Sequence, residues 1–238
     1  MLLRLLCLVM LVFAGSAHGA EIRLDSGARQ VTLLELYTSQ GCSSCSPAER
    51  WLNEYINRGE LWTGVVPVAL HVDYWDYIGW KDPFATREHG ERQRDYARAG
   101  RTRTVYTPGF FVNGRDWRGW TMRVNPRSSD RQPGNLSATI ADTRLKAAFP
   151  AAETPMDLHV AILGFGIETD VTRGENSNRR LPQEFVVLSY QVSRSDNGAW
   201  DMTLPVRELQ VADRHAIALW VSEAGNPAPV QATGGWLP

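Results

Sequence analysis

Two apolar runs, VTLLELYT from Val31 to Thr38 and VVPVALHV from Val65 to Val72, constrain the fold most. Each is nearly unbroken and reads as a strand buried on both faces of a sheet. Between them Trp51, Leu52, Tyr55 and Ile56 recur at helical spacing over Ser43–Arg58, and Gly59 follows as a stop signal. Strand, helix, strand in this order implies a right-handed parallel crossover, the unit of an α/β fold.

The junction of the first run and the helix reads LELYTSQGCSSCSPAE and carries Cys42 and Cys45. The only other cysteine, Cys7, lies in MLLRLLCLVMLVFAGSAHGA. That segment has one early charge, Arg4, then an apolar run too short to span a bilayer, which takes roughly 20 residues, then small residues. Residues 1–20 therefore read as a secretory signal peptide cleaved within 17–20. Its removal leaves Cys42 and Cys45 as the only cysteines of a periplasmic or secreted protein, in a compartment where disulfides persist. The formal charge is −1 and becomes one unit more negative without Arg4, so nothing points to nucleic acid. No later segment is apolar enough to suggest membrane association after signal removal.

A C-x-x-C pair admits three readings. Half of a structural zinc site needs two further ligands, and without a second cysteine pair only His71, His89, His159 and His215 remain to supply them. A structural bridge across so short a loop constrains the unfolded chain little. Position favours a redox dithiol, because a helix N-terminus stabilises a thiolate through its dipole and free N–H groups. Cys42 then sits at the N-cap as the more exposed nucleophile, and Cys45, one turn in, resolves the mixed disulfide. Ser43 and Ser44 place hydroxyls beside it.

Further along, Asp82-Pro83 reads as a cap and first turn of a charged helix running to Ala99. Tyr106-Thr107-Pro108 opens a strand, GFFVN; Asn113-Gly114 is a hairpin turn, and DWRGWTMRV a returning strand. Leu136–Phe149 reads as a helix capped by Asn135, with Leu136, Ile140, Leu145 and Phe149 as its buried stripe. Beyond a PAAETP linker the signals are strands and turns: MDLHVAILGFGIE, EFVVLSYQV, AWDMTLPV after an Asn197-Gly198 turn, and HAIALWVSE. The expected organisation is a signal peptide over 1–20, an α/β domain over 21–150 and an all-β module over 151–238.

From Val31 to Phe149 the order of elements resembles the thioredoxin fold, a central mixed sheet flanked by helices. In that fold a cis-proline faces the dithiol, which Thr107-Pro108 matches here. More narrowly, ELYTSQGCSSCSPAE, HVDYWDYIGWKDPF, Tyr106-Thr107-Pro108 and FVNG resemble the domain-of-unknown-function family 1223, and RGENSNRRL extends the likeness more weakly. That resemblance implies an exported, thioredoxin-like protein and no settled activity. Thioredoxins carry a buried acid six residues before the first cysteine; here that position is Leu36, with Glu35 one residue further back. Glu35 serves as a proton shuttle if the strand bends near Gln40-Gly41; otherwise it points to the other face of the sheet.

The patch HVDYWDYIGWKDPF follows the second strand, at the carboxyl end where open α/β sheets place their sites. His71, Asp73, Tyr74, Trp75, Tyr77 and Trp80 are candidates to rim the dithiol and receive a peptide. The expectation is a thiol–disulfide oxidoreductase acting on cysteines of other exported proteins. Its catalytic residues are Cys42, Cys45, Thr107, Pro108 and Glu35, and it needs no organic cofactor or metal. Two rivals stand beside it: a copper- or zinc-binding protein using Cys42, Cys45 and His71, and a binding module in which the disulfide is idle.

Overall fold

The computed structural model describes residues 21–204 and 211–238. The leader with Cys7, and the end of AWDMTLPV, lie outside the described residues. After a short strand β1 (Ile22–Asp25), the first apolar run forms β2 (Thr32–Thr38), followed by helix α1 (Cys45–Asn53). A 3-10 turn over Glu54–Asn57 extends the helix, and the second run forms β3 (Val65–His71). β2 and β3 pair in parallel from Thr32–Val65 to Thr38–His71. α1 begins two residues later than an N-cap at Cys42 requires, because Cys42 lies in a turn closed by Cys42 N–H to Ser39 O and Cys45 N–H to Cys42 O.

Alternation along β2 sends its even-numbered side chains to one face and its odd-numbered ones to the other. Leu36 pairs with Phe110, whose ring meets Trp51 of α1 at 5.1 Å between centroids. Glu35 and Tyr37 face the second helix, α2 (Arg87–Arg98), where Tyr37 meets Tyr96 edge-on. α1 buries Ala48, Trp51 and Leu52, an i, i+3, i+4 stripe, against this sheet. α2 starts four residues later than Asp82-Pro83 suggested: the Thr86 hydroxyl accepts from His89 N–H, while Asp82 turns inward. Its inward stripe is polar, with Arg92, Gln93 and Tyr96 all buried.

β4 (Gly109–Val112) follows Pro108, and the Thr107–Pro108 peptide is cis. Asn113 and Gly114, both at positive φ, turn the chain into β5 (Arg115–Trp117), which is short because Gly119–Met122 coils into a 3-10 turn. The expected helix over Leu136–Phe149 is absent. That segment is a hairpin, β6 (Ser137–Ala141) and β7 (Arg144–Ala148), turning at Asp142-Thr143. Leu136, Ala138, Ile140, Leu145, Ala147 and Phe149 are buried with exposed or half-buried residues between them, a period of two rather than 3.6.

Later strands are β8 (Met156–Phe165), β9 (Ile167–Val171), β10 (Arg179–Gln183), β11 (Val186–Ser195), β12 (Ala199–Thr203), β13 (Arg214–Glu223) and β14 (Pro229–Trp236). Gly166, at positive φ, splits the MDLHVAILGFGIE run into β8 and β9. One sheet of eight strands runs β14-β13-β8-β11-β3-β2-β4-β5, so strands from both sides of residue 150 share it. β1, β6, β7 and β12 form a second, antiparallel sheet, and β9–β10 is a separate hairpin. Leu158, Val160 and Ile162 of β8 face the four-stranded sheet, while Ala161, Leu163 and Phe165 face the core shared with β2 and β3. The architecture is mixed α/β with sheet dominant. Among the described residues no helix is long and apolar enough to cross a membrane.

Candidate active site

Cys42 and Cys45 form a disulfide at the amino end of α1, beyond the carboxyl end of β2. Both are fully buried, so the more exposed position expected for Cys42 is not observed. Ser44 is the exposed residue at the helix N-cap; its hydroxyl makes no cap bond and lies 3.3 Å from Cys42 Sγ. On the other side Thr107 Oγ1 donates to Cys42 Sγ at 3.5 Å and accepts from Trp75 Nε1 at 2.6 Å. Trp75 stacks on Tyr77, which is 81% exposed. The cis-Pro108 turn and the Trp75 ring thus stand at the dithiol, with half-buried Thr107 between them.

The other candidates divide. Trp80 Nε1 donates to Gln40 Oε1, and Gln40 is two residues before Cys42. Tyr74 OH donates to Gln93 of α2, and burial pushes its hydroxyl pKa up. Asp73 lies beside Gly90 of α2. Neither Tyr74 nor Asp73 is brought to the sulfurs by a contact. Glu35 is fully buried on the α2 face, three residues from Thr38 and therefore on the opposite side of β2. It accepts from Arg92 Nε at 2.7 Å, Tyr96 OH at 2.6 Å and Tyr37 OH at 3.2 Å. The bend that would have turned Glu35 toward the cysteines does not occur.

A different acid lies on the dithiol side. Glu49 follows Cys45 by four residues on α1, so the two side chains stack on one helix face. Glu49 is 5% exposed and accepts from Thr38 Oγ1 at 2.6 Å and from Gln183 Nε2 at 3.4 Å. Burial raises its pKa, against the opposing pull of the His71 charge and the Thr38 bond. His71, paired across the sheet with Thr38, holds Asp82 through Nδ1 at 2.7 Å and has Gln183 Nε2 at 3.5 Å from its Nε2. Burial works against a charged His71, but the Asp82 carboxylate, its hydrogen bond and Glu49 outweigh it and raise the pKa. Burial would raise Asp82 as well. The His71 charge and the bonds from His71, Gln40 N–H and Phe84 N–H overcome it and lower the pKa. Among the described residues no group of three or more His, Cys, Asp or Glu side chains is arranged to hold a metal ion.

The β9–β10 hairpin closes the site from the far end of the chain. Glu175 Oε2 accepts from Ser43 N at 2.9 Å and from Ser43 Oγ at 2.8 Å. Asn176, fully buried, donates to Gln40 O at 2.9 Å and Cys42 O at 3.1 Å. Gln40 Nε2 donates to Thr169 of β9 and to Gln183 of β10. The RGEN segment, Arg173–Asn176, lies in the turn between β9 and β10 and grips the dithiol loop. Glu49 was passed over in the sequence, although its helical spacing to Cys45 is the signal that could have found it. Glu175, Asn176 and Gln183 carry no local signal, since they lie more than 130 residues away in sequence.

Among curated proteins there is no match to this sequence. A crystal structure of an Agrobacterium tumefaciens protein is similar, with 28% identity and a TM-score of 0.63 over 86% of this chain and 94% of that one. The structure of HBP35 of Porphyromonas gingivalis is similar in fold, with 13% identity and a TM-score of 0.52 over 89% of this chain and 76% of that one. The family model for proteins of unknown function DUF1223 matches residues 33–222, a span from the first buried strand to the end of β13, and the chain belongs to that family.

Proposed function

We propose that the protein is an exported thiol–disulfide oxidoreductase with a thioredoxin-like redox centre, acting on cysteines of other exported proteins. One observation carries the reading: a C-x-x-C disulfide at the start of a helix, beyond a buried strand, with Thr107 of the cis-Thr107–Pro108 turn donating to Cys42 Sγ. In this reading the backbone beside Thr107 pairs with the substrate chain, and Trp75 and Tyr77 offer it an apolar surface. Cys42 exchanges with the substrate, and Cys45 closes the ring again. Glu49, not Glu35, receives the Cys45 proton, with His71 and Asp82 as the charged backing. Residues 1–20 direct export, and the segment beyond residue 150 supplies the hairpin that frames the dithiol.

The test is a Cys45→Ser variant expressed in its own cell. It should accumulate mixed disulfides through Cys42 that a Cys42→Ser, Cys45→Ser double variant lacks. Purified wild type should exchange with glutathione. If neither trapped partners nor exchange is seen, the proposal is wrong.

A further inference from the structure

The residues around Cys42 speak to the direction of electron flow. A dithiol oxidises its partners when its reduced form is favoured, which a stabilised thiolate achieves through nearby N–H groups and cations. Here those aids are largely used up. Ser43 N–H, the amide next to Cys42, is given to the Glu175 carboxylate, as is the Ser43 hydroxyl. Cys42 N–H and Cys45 N–H are bonded to backbone carbonyls. The side chains that meet Cys42 Sγ are the neutral hydroxyls of Ser44 and Thr107. Beneath lie Glu49 and Asp82, with His71 as their one cationic partner among the described residues. Asp73 and Asp76 begin and continue the 3-10 turn that carries Trp75, with Lys81 after it. Arg179 of β10 spends its guanidinium on Asn176 Oδ1.

We infer that Glu175 disfavours the Cys42 thiolate and so holds the pair on the reducing side, making its substrates disulfides rather than dithiols. This rests on the oxidoreductase reading and adds its direction. Cys42 thiolate attacks one sulfur of a substrate disulfide; the Cys42–substrate bond forms, the substrate bond breaks, and the departing thiolate takes a proton from water. Cys45 then gives its proton to Glu49 and attacks Cys42 Sγ. The Cys42–Cys45 bond forms, the mixed disulfide breaks, and the second substrate sulfur leaves and is protonated. Two electrons pass to the substrate, and a dithiol electron donor must reduce the pair again.

The experiment compares the full mature chain with Glu175→Gln, which keeps an acceptor for Ser43 but loses the charge. Glutathione equilibration at pH 7 should show the variant pair easier to reduce by at least threefold; tenfold would equal about 30 mV for a two-electron couple. The Cys42 pKa should fall in step. Both differences should shrink in 1 M salt, where the screening length is only about 3 Å. The wild type should reduce insulin disulfides faster than it oxidises reduced, unfolded ribonuclease. An unchanged equilibrium constant in Glu175→Gln, a salt-independent difference, or faster oxidation of the dithiol substrate would overturn the inference while leaving the oxidoreductase reading intact. A wild-type pair that exchanges with no thiol at all would sink both.

Discussion

His71 and His89 are in contact, His89 Nδ1 lying 2.8 Å from the His71 carbonyl, yet they are pushed in opposite directions. Burial lowers His89 to about 4, and its Nε2 is buried without a partner. The unfolded chain, with a histidine near 6.5, therefore binds that proton more tightly. The stability due to neutral His89 is full above pH 6.5 and is lost as pH falls toward 4, on the order of 3 kcal/mol. His71, raised despite burial because Asp82 and Glu49 attract its charge, contributes stability that is full below pH 6.5 and is lost as pH rises through its folded pKa. Urea midpoints measured from pH 4 to pH 9 should separate them. His89→Gln should flatten the acid limb, and His71→Gln the alkaline one; the same limb changing in both variants would contradict the assignment. At this scale the sequence was informative about the cysteines, Thr107, Pro108 and Trp75. It left Glu35 open between two faces of the sheet; β2 runs without a bulge there, and Arg92 partners that acid on the face away from the cysteines.

Among the elements, the crossover β2–α1–β3 and the Asn113-Gly114 turn were readable because apolar runs and turn residues act locally. The β6–β7 hairpin was not, since Leu136, Ile140 and Leu145 fit a helical stripe as well as a strand. What decides is the second sheet: β1 and β12 flank the hairpin, so alternating side chains find cover that a helix there would not match. Leu145, fully buried and paired with Ile140 and Met202, is the measure of that sheet. Leu145→Ala should cost about 2–5 kcal/mol in chemical denaturation, the range for a large core deletion. A loss below about 1 kcal/mol would mean that the hairpin contributes little to the core.

For the whole molecule, the telling fact is how the two ends of the chain are stitched. Gln231 of β14 accepts from Val31 N–H and donates to the carbonyls of Gly27, Arg29 and Gly134. Gln30 donates to Val230 O. β11 lies on the edge of β3, with Ala69 N–H bonded to Phe185 O, and Arg92 donates to Pro227 O. A fragment ending near residue 155 would bare the edge of β3 and the apolar face that Phe165, Phe185 and Trp220 cover. We expect it to bind an apolar dye and to lack a cooperative thermal transition; a cooperative, dye-free fragment would refute this. None of this stitching has a signature in sequence, because each link joins segments that look like ordinary loops or strands by themselves.

The hairpin that grips the dithiol also sets an order of events. Asn176 lies 134 residues after Cys42. A chain emerging amino end first at about 5–20 residues per second shows its cysteines roughly 7–27 s before Asn176 appears. During that interval the two thiols have neither Glu175 nor Asn176 against them, and any oxidant or neighbouring chain meets them bare. The centre thus cannot be completed until well after its cysteines are made, and the newborn protein passes through a stage in which its reactivity is that of an unshielded peptide.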